Sequence, residues 1–253
     1  MNIAIIGAGH VGGTLAKHLT EAGHNVAIAN SRGPDTLRRM ESQLGDHGRA
    51  VTAEQAAAFG DVVFVSVPFG HYTELPVAGT AGKTVVDTSN YDPDRDGHIA
   101  DLDDDRTTSS ELLQRHLPQA TVVKAFNTMR WDHLRDYGRT GGSLTRYGMP
   151  VSGDDAHAKR EVEDLVEQLG FAPVDAGDLA HGGRRQQPGS PVFTADLTAD
   201  DMHARLDPEV SAPTSQDWTD AAARARTSDD PRARTPRDPS GIPTTGTTPG
   251  RQR

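Results

Sequence analysis

The sequence predicts an α/β protein built on a doubly wound parallel sheet. Three observations carry this. Short apolar runs alternate with segments of helical periodicity along most of the chain. The runs are continuously apolar rather than alternating, as suits parallel strands covered on both faces. The first of them ends in IIGAGHVGG, a glycine-rich turn that opens directly into a helical pattern.

The elements follow in order. Residues 3–6 form the first strand, and Val11, Leu15, Leu19 and Ala22 repeat at helical spacing behind it. Residues 26–29 form the second strand and 37–44 a helix. Thr52 caps a short helix that runs to Phe59. The runs DVVFVSVP (61–68), KTVVDTSN (83–90) and TVVKAFNT (121–128) are rich in β-branched residues and bounded by turn residues. Ser109 or Ser110 caps a helix to His116, and Asp154 caps one through Leu169 that Gly170 ends.

The opening turn reads Gly7-Ala8-Gly9-His10-Val11-Gly12, the pattern G-x-G-x-x-G. With a strand before it and a helix and second strand after it, the turn is that of a Rossmann-type dinucleotide site. Gly7 permits the tight turn, Gly9 lets a pyrophosphate approach the backbone, and Gly12 lets helix and strand pack closely. The helix N-terminus then faces the phosphates, with His10 beside them. An NAD site places a carboxylate at the end of the second strand, on the ribose 2′-hydroxyl. Here that strand ends Asn30-Ser31-Arg32-Gly33, with no acid. Ser31 offers a hydroxyl and Arg32 a planar cation suited to a 2′-phosphate, and Gly33 lets the backbone turn beneath it. The expected cofactor is NADP(H).

The composition bounds the remainder. Hydrophobic residues make up 34% of the 253 residues and aromatics 5%, lean for a chain that is all core. The shortfall collects at the end. From 207 to 253 prolines recur and the only large apolar residues are Val210, Trp218 and Ile242, which predicts a disordered tail with a short helix at 217–226. The expected organisation is an NADP-binding domain at 1–150, a small C-terminal α/β part at 151–206 that completes the cleft, and the tail. A net charge of −10 argues against nucleic acid as a partner. No cysteine is available for disulfides, thiolate metal sites or nucleophilic catalysis. Neither a signal peptide nor an apolar stretch of membrane-spanning length stands out, so a cytoplasmic location is expected.

One motif misleads. DPDRDGHIADLD places Asp92, Asp94, Asp96, Gly97, Ile99 and Asp103 at calcium-loop positions. A strand rather than a helix leads into it, and its last ligand is Asp rather than bidentate Glu, so calcium is not expected. The eleven histidines show no metal-ligand spacing, and no metal site is predicted.

Several segments in order resemble the coenzyme F-420-dependent NADP oxidoreductase family. They are the opening 34 residues, VSVPF, VVDTSNYDPDRDG, VVKAFNTM, the run from VSGDD to GDLA, and RRQQPGSPVF. The resemblance implies a hydride exchanged between NADP(H) and an 8-hydroxy-5-deazaflavin bound between the two parts of the chain, in a homodimer. It implies that Val67 and Pro68 lie toward the nicotinamide, and that Asn127, Thr128 and Met129 line the nicotinamide and the deazaflavin. The 184–190 segment would lie near the second cofactor. Met129-Arg130-Trp131 departs from the small or aliphatic residues of that family loop, and Trp131 would stack on a ring or block one. Two other readings stay open. An NADPH-dependent reductase of a small carbonyl or imine would need a proton donor, for which His71, Tyr91 and His181 are candidates. A nucleotide-sensing protein that engages a partner through its tail would bind NADPH without turnover.

Overall fold

The computed structural model describes residues 1–138 and 146–207. Within them, eight strands form one sheet: β1 (Asn2–Ile6), β2 (Asn25–Ala29), β3 (Gly48–Ala50), β4 (Val62–Val65), β5 (Thr84–Asp87), β6 (Thr121–Lys124), β7 (Gly148–Gly153) and β8 (Ala172–Gly177). Their spatial order is β3-β2-β1-β4-β5-β6-β7-β8. β1 to β6 pair in parallel, β7 pairs with β6 antiparallel, and β8 with β7 in parallel. The strand order reverses between β1 and β4, and at such a switch point an open α/β sheet forms its crevice.

The continuous apolar runs have the expected cause. Ile3 and Ile5 of β1 join one core cluster, with Val62 and Phe64 of β4. Ala4 and Ile6 join a second cluster, with Val63 and Val65. Alternate side chains therefore enter opposite layers, and both layers are dry. The first layer is closed by helices α1 (His10–Glu21), α2 (Arg38–Leu44) and, further along the chain, α8 (Trp131–Asp136) and α9 (Ala156–Gln168). The second is closed mainly by α3 (Ala53–Phe59) and α7 (Ser109–His116). Short helices α4 (Val77–Thr80), α5 (Pro93–Asp96) and α6 (Ala100–Asp103) precede α7 (Ser109–His116). They are followed by α8 (Trp131–Asp136), α9 (Ala156–Gln168), α10 (His181–Arg185) and α11 (Ala199–Arg205).

The predicted strands and helices are present, and Thr52 caps α3 through a capping box with Gln55. Two caps differ from expectation. Thr108, not Ser109 or Ser110, caps α7: its Oγ1 accepts from Glu111 N (3.2 Å) while Glu111 accepts from Thr108 N (2.8 Å). The two serines turn inward instead. Asp155 rather than Asp154 caps α9, accepting from His157 N and Ala158 N at 2.9 and 2.8 Å. These backbone bonds hold its carboxyl below the usual range. Asp154 is taken by Leu179 N in the turn after β8 (3.0 Å). Position 150 lies inside β7, and one sheet runs through both parts of the chain. The predicted tail beyond Asp207, with its short helix, lies outside the described residues. No helix among the described residues is long and apolar enough to cross a membrane.

Candidate functional site

The glycine loop joins β1 to α1 at the sheet's carboxyl edge. Gly7 has φ +112°, and a Cβ there would collide with the Ser66 carbonyl at the end of β4. A Cβ on Gly12 would collide with the Gly7 carbonyl. These two glycines are therefore required by packing. Gly9 differs: a Cβ there meets no atom within 4 Å. The space above it opens into a cavity of about 470 Å³, walled by Gly7, Ala8 and Gly9, by Asn30, Ser31 and Arg32, and by Ser66, Val67 and Pro68. Gly9 also supplies the extended N-cap of α1, so the first free amides of a twelve-residue helix point the same way.

The far end of the cavity is set by the turn after β2. Asn30 Oδ1 accepts from Arg32 N (3.1 Å), and Asn30 Nδ2 donates to Thr36 Oγ1 (3.0 Å). Gly33, at φ +87°, carries the chain back toward Thr36, whose N and Oγ1 bond the Gly33 carbonyl. The turn leaves Ser31 and Arg32 exposed. The nearest acid in sequence, Asp35, is engaged by Arg38 (2.6 Å), and no carboxylate among the described residues pairs with Arg32. The structure thus offers an unopposed guanidinium at the mouth of a cavity that ends on helix amides.

Seven of the predicted cofactor residues meet around this cavity: Gly7, Ala8, Gly9, Ser31, Arg32, Val67 and Pro68. Gly12 and Gly33 shape it from behind. Val11 packs into the core beneath the loop. His10 faces outward, and its ring lies 4.5 Å from that of Trp131. Trp131 also has the Arg135 guanidinium 5.1 Å from its ring. Its indole therefore braces the loop from the side of α8.

Asn127, Thr128 and Met129 stand elsewhere, buried at the end of β6 and outside the cavity wall. Phe126, just before them, has φ +61°, a strained value for a bulky residue. The structure adds a polar centre here that the sequence reading missed. Asp87 and Lys124, register partners on β5 and β6, are fully buried and paired (Nζ–Oδ2 3.2 Å). Lys124 also donates to the Ser89 carbonyl (3.0 Å). Asp87 receives Ser110 Oγ (2.7 Å), Ser89 Oγ (2.6 Å) and Ser89 N (2.9 Å). Burial pushes this carboxyl up, but Lys124 and the serine hydrogen bonds outweigh it and hold it below the usual carboxylate range. The pair pins Ser89, and therefore the position of Asn90 next to it. Only the three-dimensional pairing of β5 with β6 reveals this.

Of the three candidate proton donors, only His71 reaches the cavity. Tyr91 is buried, with its hydroxyl at 2.7 Å from Asp103 and 3.0 Å from the Gly97 carbonyl, while Ile99 N donates to it. Burial and the Asp103 bond push its pKa up, away from use as an acid near neutrality. His181 is exposed and engaged by Asp178 (3.0 Å). His71 does line the cavity, paired with Glu74 (2.9 Å). In the acidic loop, Asp96 binds Arg95 and Asp103 binds His98 and Tyr91, so these carboxylates serve local partners.

Comparisons with known proteins identify the family. The family model described as NADP oxidoreductase, coenzyme F-420-dependent, matches residues 2–91, from β1 to just past β5. A solved hypothetical protein of Sinorhizobium meliloti is 36% identical, with a TM-score of 0.69, over 78% of this chain and 95% of that one. A candidate F-420-dependent NADP-reductase of an Arthrobacter species, also solved, is 31% identical, with a TM-score of 0.60, over 71% of this chain and 86% of that one. The chain belongs to the coenzyme F-420-dependent NADP oxidoreductase family. That family is one of NADP-dependent oxidoreductases, and the fold of this chain is the family's Rossmann-type sheet. Human metalloreductase STEAP2 is 27% identical over 71% of this chain, and the match spans only 34% of STEAP2. The chain thus covers about a third of that curated relative.

Proposed function

We propose that the protein transfers a hydride between NADP(H) and the deazaflavin coenzyme F-420. The observation that carries the nucleotide half is the cavity itself. It runs from the unopposed Arg32, past the open face of Gly9, to Val67 and Pro68. Arg32 and Ser31 would hold the 2′-phosphate, and the loop from Gly7 to Gly12 the pyrophosphate. His10 and Val11 complete that loop, one beside the phosphates and one anchoring it. Gly33 sets the turn. Val67 and Pro68 would direct the nicotinamide toward Asn127, Thr128 and Met129. Residues 1–150 supply the nucleotide half of the site and 151–206 complete the cleft. The deazaflavin half rests on the family and on the Arthrobacter relative. Bound together, the two rings supply the hydride chemistry, so the chain's part is proximity, orientation and exclusion of water. Reduction of a carbonyl or imine, which needs a proton donor at the acceptor, would have to use His71 in the cavity wall, since Tyr91 is buried against Asp103 and His181 is engaged by Asp178.

Mixing the protein with NADPH and oxidised F-420 and following the deazaflavin absorbance tests the reading. The absorbance is expected to fall with turnover; tight NADPH binding without that loss would overturn it. A second expected result concerns Gly9. Gly9→Ala meets open space and leaves φ in an ordinary region (−77°), so the melting temperature stays as in the wild type. The added methyl occupies the phosphate approach, and NADPH affinity falls about tenfold or more. A variant that loses stability and affinity together would contradict the assignment of Gly9 to the ligand.

A further inference from the structure

One stretch of the cavity wall has no part in the assignments above. Apart from Ile6 of β1, the rest of the lining comes from the start of α3 and the turn after β4: Ala53, His71, Glu74, Leu75 and Pro76. This stretch is firmly held. Leu75 is buried in the second core layer with Ala56 and Ala57 of α3, and Ala53 packs against the same layer. His71 N donates to the Pro68 carbonyl (3.0 Å), and the Tyr72 ring stacks on Phe69 with centroids 4.7 Å apart. His116 Nε2 lies 3.3 Å from the Leu75 carbonyl. The result is an apolar strip with a polar edge.

That edge carries the wrong charge for an anionic cofactor. Among the described residues that line the cavity, Glu74 is the only acid. A carboxylate there repels phosphates unless a donor on the cofactor meets it. His71 Nδ1 lies 2.9 Å from Glu74 Oε1 and fixes the side chain. Among the described residues only His71 bonds this carboxylate, which has acceptor capacity to spare on Oε2.

We infer that Ala53, Leu75 and Pro76 form the subsite for the nucleotide base, and that Glu74 selects adenine there by accepting a hydrogen bond from its 6-amino group. His71 is the positioning residue that aims Glu74. This rests on the nucleotide half of the reading under Proposed function, and not on the deazaflavin. On that reading Ser31 and Arg32 take the 2′-phosphate, Gly9 the pyrophosphate, and Val67 and Pro68 the nicotinamide side. The base is attached to the ribose that bears the 2′-phosphate, and the apolar strip is the wall that remains for it. Adenine donates from position 6. Hypoxanthine and guanine carry a carbonyl there, which only accepts and would meet the carboxylate oxygen to oxygen.

The test changes the base and nothing else. NADPH and its deaminated analogue, with hypoxanthine in place of adenine, are titrated against the full chain by nicotinamide fluorescence. The two share every phosphate and the nicotinamide, so the ratio of their affinities isolates the base edge. Wild type is expected to bind the analogue about tenfold more weakly. In Glu74→Gln the ratio falls to about one, because an amide can turn its oxygen to an amino group or its N–H to a carbonyl. The lost charge affects both ligands alike and cancels in the ratio. In His71→Ala the ratio narrows, while the preference for NADPH over NADH persists in both variants. Equal affinities in the wild type overturn the inference whether or not the variants fold, and leave the nucleotide reading standing. A ratio that survives Glu74→Gln also overturns it, and one that survives His71→Ala removes His71 as the positioning residue. Wild type that binds neither dinucleotide overturns the nucleotide reading, and this inference with it.

Discussion

Replacing Lys124 with methionine is expected to lower folding stability by about 3–5 kcal/mol. The ammonium and the Asp87 carboxylate are both wholly buried, so neither has water to fall back on. Removing one leaves the other's charge in an apolar interior, compensated only by Ser89 and Ser110. The double variant Lys124→Met/Asp87→Asn removes the orphaned charge and should recover a large part of the loss. Urea unfolding of the three variants measures this, provided the denaturant slope is unchanged. A loss below about 1 kcal/mol for Lys124→Met would show a solvated pair of the surface kind. The pH dependence carries the same signature. Because the folded pKa of Asp87 is depressed, its contribution is present above the unfolded carboxylate range. It is lost as pH falls through the lowered folded value. In Lys124→Met the counter-charge is gone and the folded pKa of Asp87 rises, so protonation relieves the variant. The stability gap between wild type and variant therefore narrows on acidification.

Arg32→Ala is expected to weaken NADPH binding about 10–100-fold while leaving NADH binding as it was. The guanidinium is exposed at the cavity mouth, has no carboxylate to neutralise it, and is held by the Asn30 turn rather than by its own side-chain bonds. Its removal should cost the fold nothing, and the melting temperature checks that. Raising ionic strength should erode the NADPH preference of the wild type more than that of the variant, since the phosphate contact is charge on charge near solvent. An unchanged ratio of NADPH to NADH affinity would remove Arg32 as the reader of the phosphate and return the question to Ser31 and the loop amides.

How far the sequence went is clear from particular elements. β1, β2, β4, β5 and β6 were legible because both their faces are buried and their apolar runs are continuous. β3 was not, being three residues, Gly-Arg-Ala, with no apolar signal. β7 carries two glycines and a proline, and β8 a proline, an acid and a glycine, each in a run of six, and pairing with neighbours rather than propensity makes them strands. The two misplaced caps arose where Asp154 and Asp155, or Thr108 and the serines after it, offer equivalent local chemistry. The competing tertiary partners decided between them. The same division runs through the site. The glycine loop and Ser31-Arg32 are contiguous and could be read directly. Asp87 with Lys124, and Asn90 with Asn127, are each 37 positions apart, and Gln186 is 59 from Asn127. No spacing rule links them, because the sheet order is what brings them together.

The central claim is a hydride passed directly between NADP(H) and F-420, and isotope tracing reaches it most directly. NADPH carrying deuterium on one or the other face of nicotinamide C4 is reacted for a single turnover in ordinary water, and the reduced deazaflavin is weighed by mass spectrometry. The account predicts one deuterium in the deazaflavin from one of the two isomers and none from the other. Reduced deazaflavin without deuterium from either isomer, or no reduction despite tight NADPH binding, would contradict it.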